Sequence, residues 1–485
     1  MLGEYSEFAA DQVSAVRFHP EDEHPFRSKF ERDRDRILYS KEFRRLSGKT
    51  QVFVTGFDDH TRTRLTHTLE VSQIAQTVSR YLGLDETLTK AIAIGHDIGH
   101  TPFGHIGERT LNYIMNGCDR IKDFNASNEK GKRGFKHNWQ GLRVVTHLEK
   151  INRGYDGLNL TDYTAWGILH HSKIKYGECK INIDGVCSLR HSGTKCTNRE
   201  NMLSLDFYDQ YNRYLNENSW TLEGLVVRMA DEIAQRHHDI EDGLEAKIID
   251  KDEIIGQLKD LFRKFLSDKD KEKLENISKE EDKSYYLSGI SGFIVNFLTT
   301  RLIEDTSDRL KDIKDKYHIR ASLDFSAAKS EIKSKLCKGG TSLYSLVSYN
   351  GDFSEREEKL QEYLGNRVLN SYLAQRMDGK ANYILRNLIK AYLTNPQQLP
   401  DKTILGLYRH IMEANEWDRK YHNKPATEIV GDLRNILRSD HFEINDIKYR
   451  HSLLRTICDF IAGMTDQFAL EQYELLYGEK MIGKL

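Results

Sequence analysis

From Leu65 to Leu82 the positions His67, Val71, Ile74, Val78 and Leu82 recur at steps of three or four, which predicts a helix whose buried stripe includes a histidine. A second helix is expected from about Asp85, whose side chain can cap it, carrying Leu88, Ala91, Ile92 and Gly95 towards His96. Pro102 is expected to stop it, because the residue before a proline is pushed out of the helical region. Thr221 to Leu244 gives a third pattern, with Leu225, Met229, Ile233 and Ile240 on one stripe and Asp231 beside it. From Glu245 to about Lys283, spaced apolar residues (Ile254, Ile255, Leu258, Leu261, Phe262) in a Lys/Asp/Glu-rich text predict solvated amphipathic helices, and another helix is expected at about Thr300 to Tyr317. Lys338 to Phe353 places LYSLVSY between turn signals and is the best candidate for a loop or β-hairpin. From Arg356 onward the pattern is helical again, interrupted near Pro396, Pro400 and Pro425. The chain is therefore expected to be all-α, with at most a small β-hairpin or minor sheet.

Composition supports long helices. Only 6 of 485 residues are proline, against about 5 per cent in ordinary chains, and interior proline is what helices exclude. A chain this long buries roughly three quarters of its unfolded surface, so one to three domains need no disulfide support. The balance of 72 basic and 74 acidic residues gives no global attraction to nucleic acid or anionic membrane. Ser284 to Thr300, the longest uncharged stretch near the middle, is too short and too polar to span a bilayer, so no membrane partner is expected. The amino terminus is acidic, without the apolar core of a signal peptide. Six cysteines in such a length suit a reducing, cytoplasmic setting.

The chemistry concentrates early. Nine of the 19 histidines lie between His60 and His171, and AIAIGHDIGHTPFGHIGE packs three of them with Asp97 and Glu108 into a helix end and the turn beyond it. Several ionisable groups on an apolar helix end are expensive to bury without an ion or substrate, whereas a lone His96 would read as a core histidine bonded to a carbonyl. His96 and Asp97 are adjacent and point about 100° apart on a regular helix, so both can reach one ion only if the helix end loosens. Two His and two Asp would suit Mn, Fe or Mg, with Zn disfavoured, and would leave positions for phosphate oxygens. Arg64, three positions before His67, can present a fork to phosphate or serve as a solvated helix charge.

Six ordered blocks resemble the HD-superfamily deoxynucleoside triphosphate triphosphohydrolases, the bacterial dGTPase group. They are RDRDRILYSKEFRRLSGKTQVF (32–53), RTRLTHTLEVSQIA (62–75), GHDIGHTPFGHIGE (95–108), FKHNWQGLRVV (135–145), MADEIAQRHHDIEDGL (229–244) and DFIAGMTDQFAL (459–470). The resemblance implies an HD catalytic core over 1–245 with a variable insert near 172–220, a divergent helical region over 246–400, and helices at 401–485 packing back on the core. It implies that His67, His96, Asp97 and Asp231 hold a divalent ion, Mn2+ or Mg2+ with Fe2+ as a third option. It further implies His105 and Glu108 as the catalytic pair, with Glu108 holding His105, and Gln51, Arg64, His100, His137, Gln235 and Asp239 as substrate contacts. The reaction it implies is hydrolysis of a deoxynucleoside triphosphate, dGTP by default, to nucleoside and tripolyphosphate. A homo-oligomer, often a hexamer, and a nucleotide effector or single-stranded DNA are the partners it implies.

One departure concerns selectivity. Where the family usually has Tyr four positions after the last metal-ligand Asp, this chain has Gln235, which offers a hydrogen bond and no aromatic face. Two other functions therefore stay in view: an HD phosphohydrolase of another nucleotide ester, and a nucleotide- or single-strand-binding regulator with a residual active site. Cys179, Cys187, His191 and Cys196 in the insert fit no common zinc spacing and are expected to be a plain loop rather than a structural zinc site.

Overall fold

Polar caps start the helices that matter. Thr63 accepts from Thr66 N to open the Arg64–Leu82 helix, Asp85 accepts from Leu88 N to open Glu86–Gly95, and Thr221 accepts from Gly224 N to open Leu222–Glu245. Arg64–Leu82 closes on Gly83 at φ 78, a left-handed position that costs glycine little. In the computed structural model the described residues are 3–51, 62–115, 134–172, 218–411, 424–438 and 447–478. Among them the architecture is helical throughout, with β pairing limited to isolated bridges such as Arg17 with Thr161. The Cys179, Cys187, His191 and Cys196 group lies outside the described residues.

Three apolar cores meet at the histidine-rich turn. The largest joins Val71, Val78, Leu88, Leu225, Ile233 and Ile240 to the middle helices through Leu258, Leu298 and Leu360. A second packs Ile106 and Leu111 of Gly104–Met115 against C-terminal residues such as Leu385, Leu407 and Ile457. The third gathers Ile37, Trp139, Leu142 and Ile168. Ala93 belongs to the first core, Ile94 and Ile98 to the third, and Phe103 to the second. The turn between them is thus pinned from three sides, the rigidity a site requires.

Two expected boundaries shift. Glu86–Gly95 ends seven residues before Pro102, and residues 96–99 turn instead. The cause is close backbone packing: a Cβ on Gly99 would sit 2.1 Å from both Gly141 N and His137 O. Thr300 to Tyr317 is the second half of one 35-residue helix, Lys283–Tyr317. It is long and apolar enough to cross a membrane by length and composition. Its apolar positions Ile290, Ile294, Leu298 and Leu302 nevertheless have 0% exposure and fill the protein's own core.

The hairpin alternative at Lys338 to Phe353 is not what forms. Leu343–Leu346 is a 3-10 turn opened by Ser342, and Gly351 starts the helix Gly351–Leu364. Arginines take the carbonyls that a partner strand would have bonded: Arg309 donates to Leu346 O (3.0 Å) and Ser348 O (3.2 Å), and Arg228 to Val347 O (3.1 Å). The apolar residues of LYSLVSY still go inward, with Leu346 and Val347 in the largest core.

Candidate active site

Each ligand-type side chain arrives from a different piece of backbone. His67 comes from the first turn of Arg64–Leu82, His96 is the C-cap of Glu86–Gly95, Asp97 follows in the turn, and Asp231 comes from the middle of Leu222–Glu245. All four are buried. His67 Nε2 lies 3.1 Å from Asp231 Oδ1 and 3.8 Å from Asp97 Oδ2, and His96 Nε2 lies 3.4 Å from Asp97 Oδ1 and 3.9 Å from Asp231 Oδ1. The loosened turn thus achieves what the adjacency of His96 and Asp97 requires.

The set suits a divalent cation. Both imidazole Nε2 atoms are buried without a hydrogen-bond partner of acceptable geometry. Their other nitrogens are committed: His96 Nδ1 donates to Ala93 O at 2.6 Å, and His67 Nδ1 meets His238 Nδ1 at 3.3 Å. This pattern directs the Nε2 lone pairs at the two carboxylates, the usual way an outer partner fixes a metal-binding tautomer. His238 in turn bonds Glu70, so a Glu70–His238–His67 chain orients the ligand. Burial alone would raise both aspartates. His96, His100 and Arg64 outweigh it at Asp97, and His67 with His96 outweigh it at Asp231, which falls to about 2.

Arg64 is no surface charge. It is 1% exposed, donates from Nη1 to Asp97 Oδ2 at 2.6 Å, and keeps Nε and Nη2 buried and unpaired. A guanidinium with two idle donors beside a cation site is arranged for an oxyanion. His100 sits 3.1 Å from Asp97 Oδ1 and stacks on His137 at 3.9 Å between centroids. Asp97, His100 and His137 form a further group whose ligand atoms lie within 4.8 Å of one another.

The catalytic pair is wired differently from the expectation. Glu108 does not hold His105; it accepts from His137 N at 3.0 Å, bonds His137 Nδ1, and pairs with Lys136. The reason is the amino end of His137–Arg143, whose N-cap, Lys136, has no capping side chain, so Glu108 supplies the missing acceptor. His105 stays open to solvent near the start of Gly104–Met115. Desolvation by the surrounding protein, then the charge of Arg64, still lower its pKa to about 4.

Among the remaining expected contacts, Gln51 is buried with Oε1 unpaired, and its carbonyl lies against Gly104. Gln235 donates from Nε2 to Asp231 Oδ1 at 2.9 Å, so the residue in the family's Tyr position here steadies that carboxylate. Burial raises Asp239 to about 6. Three participants escaped the sequence reasoning: His171, whose Nε2 is 3.2 Å from His137 Nε2, and the pair Glu70 and His238. The histidine density up to His171 and the HH doublet at 237–238 were the available signals.

Known proteins of one family are similar to this chain. A family model described as the HD domain matches residues 64–236, and one described as a phosphohydrolase-associated domain matches residues 406–475. A deoxyguanosinetriphosphate triphosphohydrolase-like protein of Geobacter metallireducens is 32% identical over 93% of this chain and 89% of its own length. Proteins of the same description from Rickettsia canadensis (32% identical, 97% of this chain, 99% of the relative) and Bordetella pertussis (30%, 98% and 97%) are similar along their whole lengths.

Proposed function

The chain belongs to the deoxyguanosinetriphosphate triphosphohydrolase-like proteins of the HD-domain family, and on that premise we propose that it hydrolyses deoxynucleoside triphosphates, dGTP by default, to deoxynucleoside and tripolyphosphate. The observation that carries the proposal is the half-used fork of Arg64, bonded to Asp97 beside two unpaired imidazole nitrogens, those of His67 and His96. A divalent ion, Mn2+ or Mg2+, would be held by His67, His96, Asp97 and Asp231 and would polarise a phosphoryl oxygen.

The chain's own residues supply the rest. Arg64 Nε and Nη2 would receive phosphate oxygens, offsetting the charge that builds on them. Cleavage at the O5′–phosphorus bond expels a poor alkoxide, which needs a positioned acid. His105, exposed to solvent, is the group for that proton. It is neutral at pH 7 in the free protein, and a bound triphosphate, being polyanionic, raises its pKa towards the working range. Glu108 acts one step back by orienting His137. Gln51, Gln235 and Asp239 would meet the sugar side of the substrate. Incubation with each dNTP and Mn2+ or Mg2+ should release tripolyphosphate, read by ion chromatography; release of monophosphate or pyrophosphate would overturn the assignment.

A further inference from the structure

Outside the catalytic cluster, the facing helices Arg64–Leu82 and Leu222–Glu245 bring a second set of ligand atoms together. His237 and Glu241 stand four residues apart on one helical face, and Glu70 faces them from the other helix. His237 Nε2 lies 3.7 Å from Glu70 Oε2 and 3.8 Å from Glu241 Oε2. Ligand bonds of about 2.1 Å at a tetrahedral angle put neighbouring donor atoms about 3.4 Å apart, close to both of these separations; Arg62, which pairs with Glu241 Oε2, would have to yield that oxygen to the ion.

Three carboxylates, Glu70, Glu241 and Asp242, face one guanidinium, Arg62, which is taken up by Glu241 and by Asp242 (3.0 Å). Glu70 is left with imidazoles as partners. His237 stands beside both carboxylates through its Nε2. Its Nδ1 is buried and unpaired. The side chains of Glu70 and Glu241 are 40% and 25% exposed, which gives an ion a way in from solvent.

We propose that Glu70, His237 and Glu241 form a second divalent-cation site of zinc-like preference on the rim of the catalytic pocket. His238 remains outside its ligand set, because its Nδ1 serves His67 and its Nε2 serves Glu70. Glu70 is therefore shared: it would bind the outer ion directly while anchoring the chain that orients His67. An ion that draws charge from Glu70 makes His238 a weaker acceptor and His67 a poorer ligand, so the two sites are coupled with opposite effect.

The site stands or falls independently of the substrate assignment, and Co2+ alone tests it. The metal-free full chain is loaded with Co2+, desalted, and its cobalt counted by plasma mass spectrometry, with visible absorption as a second reading. His237→Ala and Glu241→Gln, both on the partly exposed rim, should each lower the count by one ion per chain, and Asp231→Asn should lower it by a different one. The double variant Asp231→Asn/His237→Ala should lose both. If neither rim variant changes the count while circular dichroism shows them folded, the proposal is wrong. A loss with the rim variants alone would support the outer site and count against the inner one. Absence of tripolyphosphate from a two-ion protein would sink only the reaction.

Discussion

The helix pair Arg64–Leu82 and Leu222–Glu245 and the middle helices from Lys251 to Leu364 share one core and spend their interior positions differently. In the middle helices Leu258, Ile290, Ile294, Leu298, Leu302 and Leu360 face inward with 0% exposure, and charged residues coat the outside. In the catalytic pair, the stripe that holds Val71, Ile74, Leu225 and Ile233 also buries Arg64, His67, Asp231 and His238. Groups that are costly to bury survive where they satisfy one another or await a ligand. One region is built for stability and the other tolerates a deficit for chemistry, and substitutions should separate the two.

The largest effect is expected at Asp231→Asn. It removes an anionic ligand and leaves His67 Nε2 and Gln235 Nε2 without their carboxylate partner. Turnover should drop by about 10³-fold or more, the scale of losing electrostatic stabilisation in the transition state. Any loss of stability should stay smaller than that of a core truncation, because the amide keeps the shape of the carboxylate it replaces. A variant with near-normal kcat would break the comparison at its strongest point.

Leu298→Ala should do the reverse. Leu298 is 0% exposed in the middle of Lys283–Tyr317, and truncating a packed leucine costs about 2–5 kcal/mol. Denaturant unfolding should show that loss, while kcat per folded molecule stays close to that of the parent at 25 °C. If kcat falls in step with stability, the middle helices carry more of the site than their packing indicates.

The two regions also differ in how legible they are in sequence. Spacing alone is enough to place the helices around His67, His96 and Asp231, since period and caps are local, and the family blocks name the ligands. The orientation of those ligands is not local. That His67 leans on His238 and Glu70, and that Glu108 caps the helix of His137 instead of holding His105, depends on pairs separated by 171, 168 and 29 residues. LYSLVSY fails for the same reason: its alternation is real, and what cancels the hairpin is the arginines at 228 and 309 supplying donors from elsewhere.

A smaller, pH-dependent effect is expected at Glu223, in the first turn of Leu222–Glu245, where the catalytic helix pair buries a carboxyl away from the histidines. Its carboxylate accepts from Ala10 N and Asp85 N, both at 2.9 Å, and burial raises its pKa to about 7. A carboxyl raised from an ordinary 4.5 favours the folded state fully below that value. The advantage is lost as pH rises through about 7. Nearby Lys329, itself lowered to about 8 mainly by burial, offsets part of the charge. Glu223→Gln keeps an acceptor and removes the titration. Urea midpoints between pH 5 and pH 8 should flatten relative to the parent, by on the order of 2 kcal/mol. An unchanged slope would mean that Glu223 does not titrate in that window.

An effect on turnover about a hundredfold smaller than that of Asp231→Asn is expected where the C-terminal helices touch the site, at Asp466. Its Oδ1 accepts from Phe103 N at 2.8 Å, and its Oδ2 accepts from Thr50 N at 3.0 Å and from the Thr50 hydroxyl. Phe103 is held at φ 59, a left-handed conformation unusual for a bulky residue, immediately before the helix that carries His105 and beside the strand-like segment leading to Gln51. Buried Lys49, donating to His100 O (2.5 Å) and Ala462 O (2.9 Å), ties the same turn to the same C-terminal region. Asp466→Asn keeps the Phe103 bond and turns an amide donor towards the donors of Thr50. A buried charged hydrogen bond lost this way costs about 1.5–3 kcal/mol, shared between stability and turn geometry. We expect kcat to fall about tenfold with KM nearly unchanged, because the turn that presents His105 loosens while Arg64 keeps its Asp97 partner. A rise in KM at constant kcat would mean that Asp466 serves substrate binding through Gln51, and would move the C-terminal helices from holding the catalytic turn to shaping the pocket.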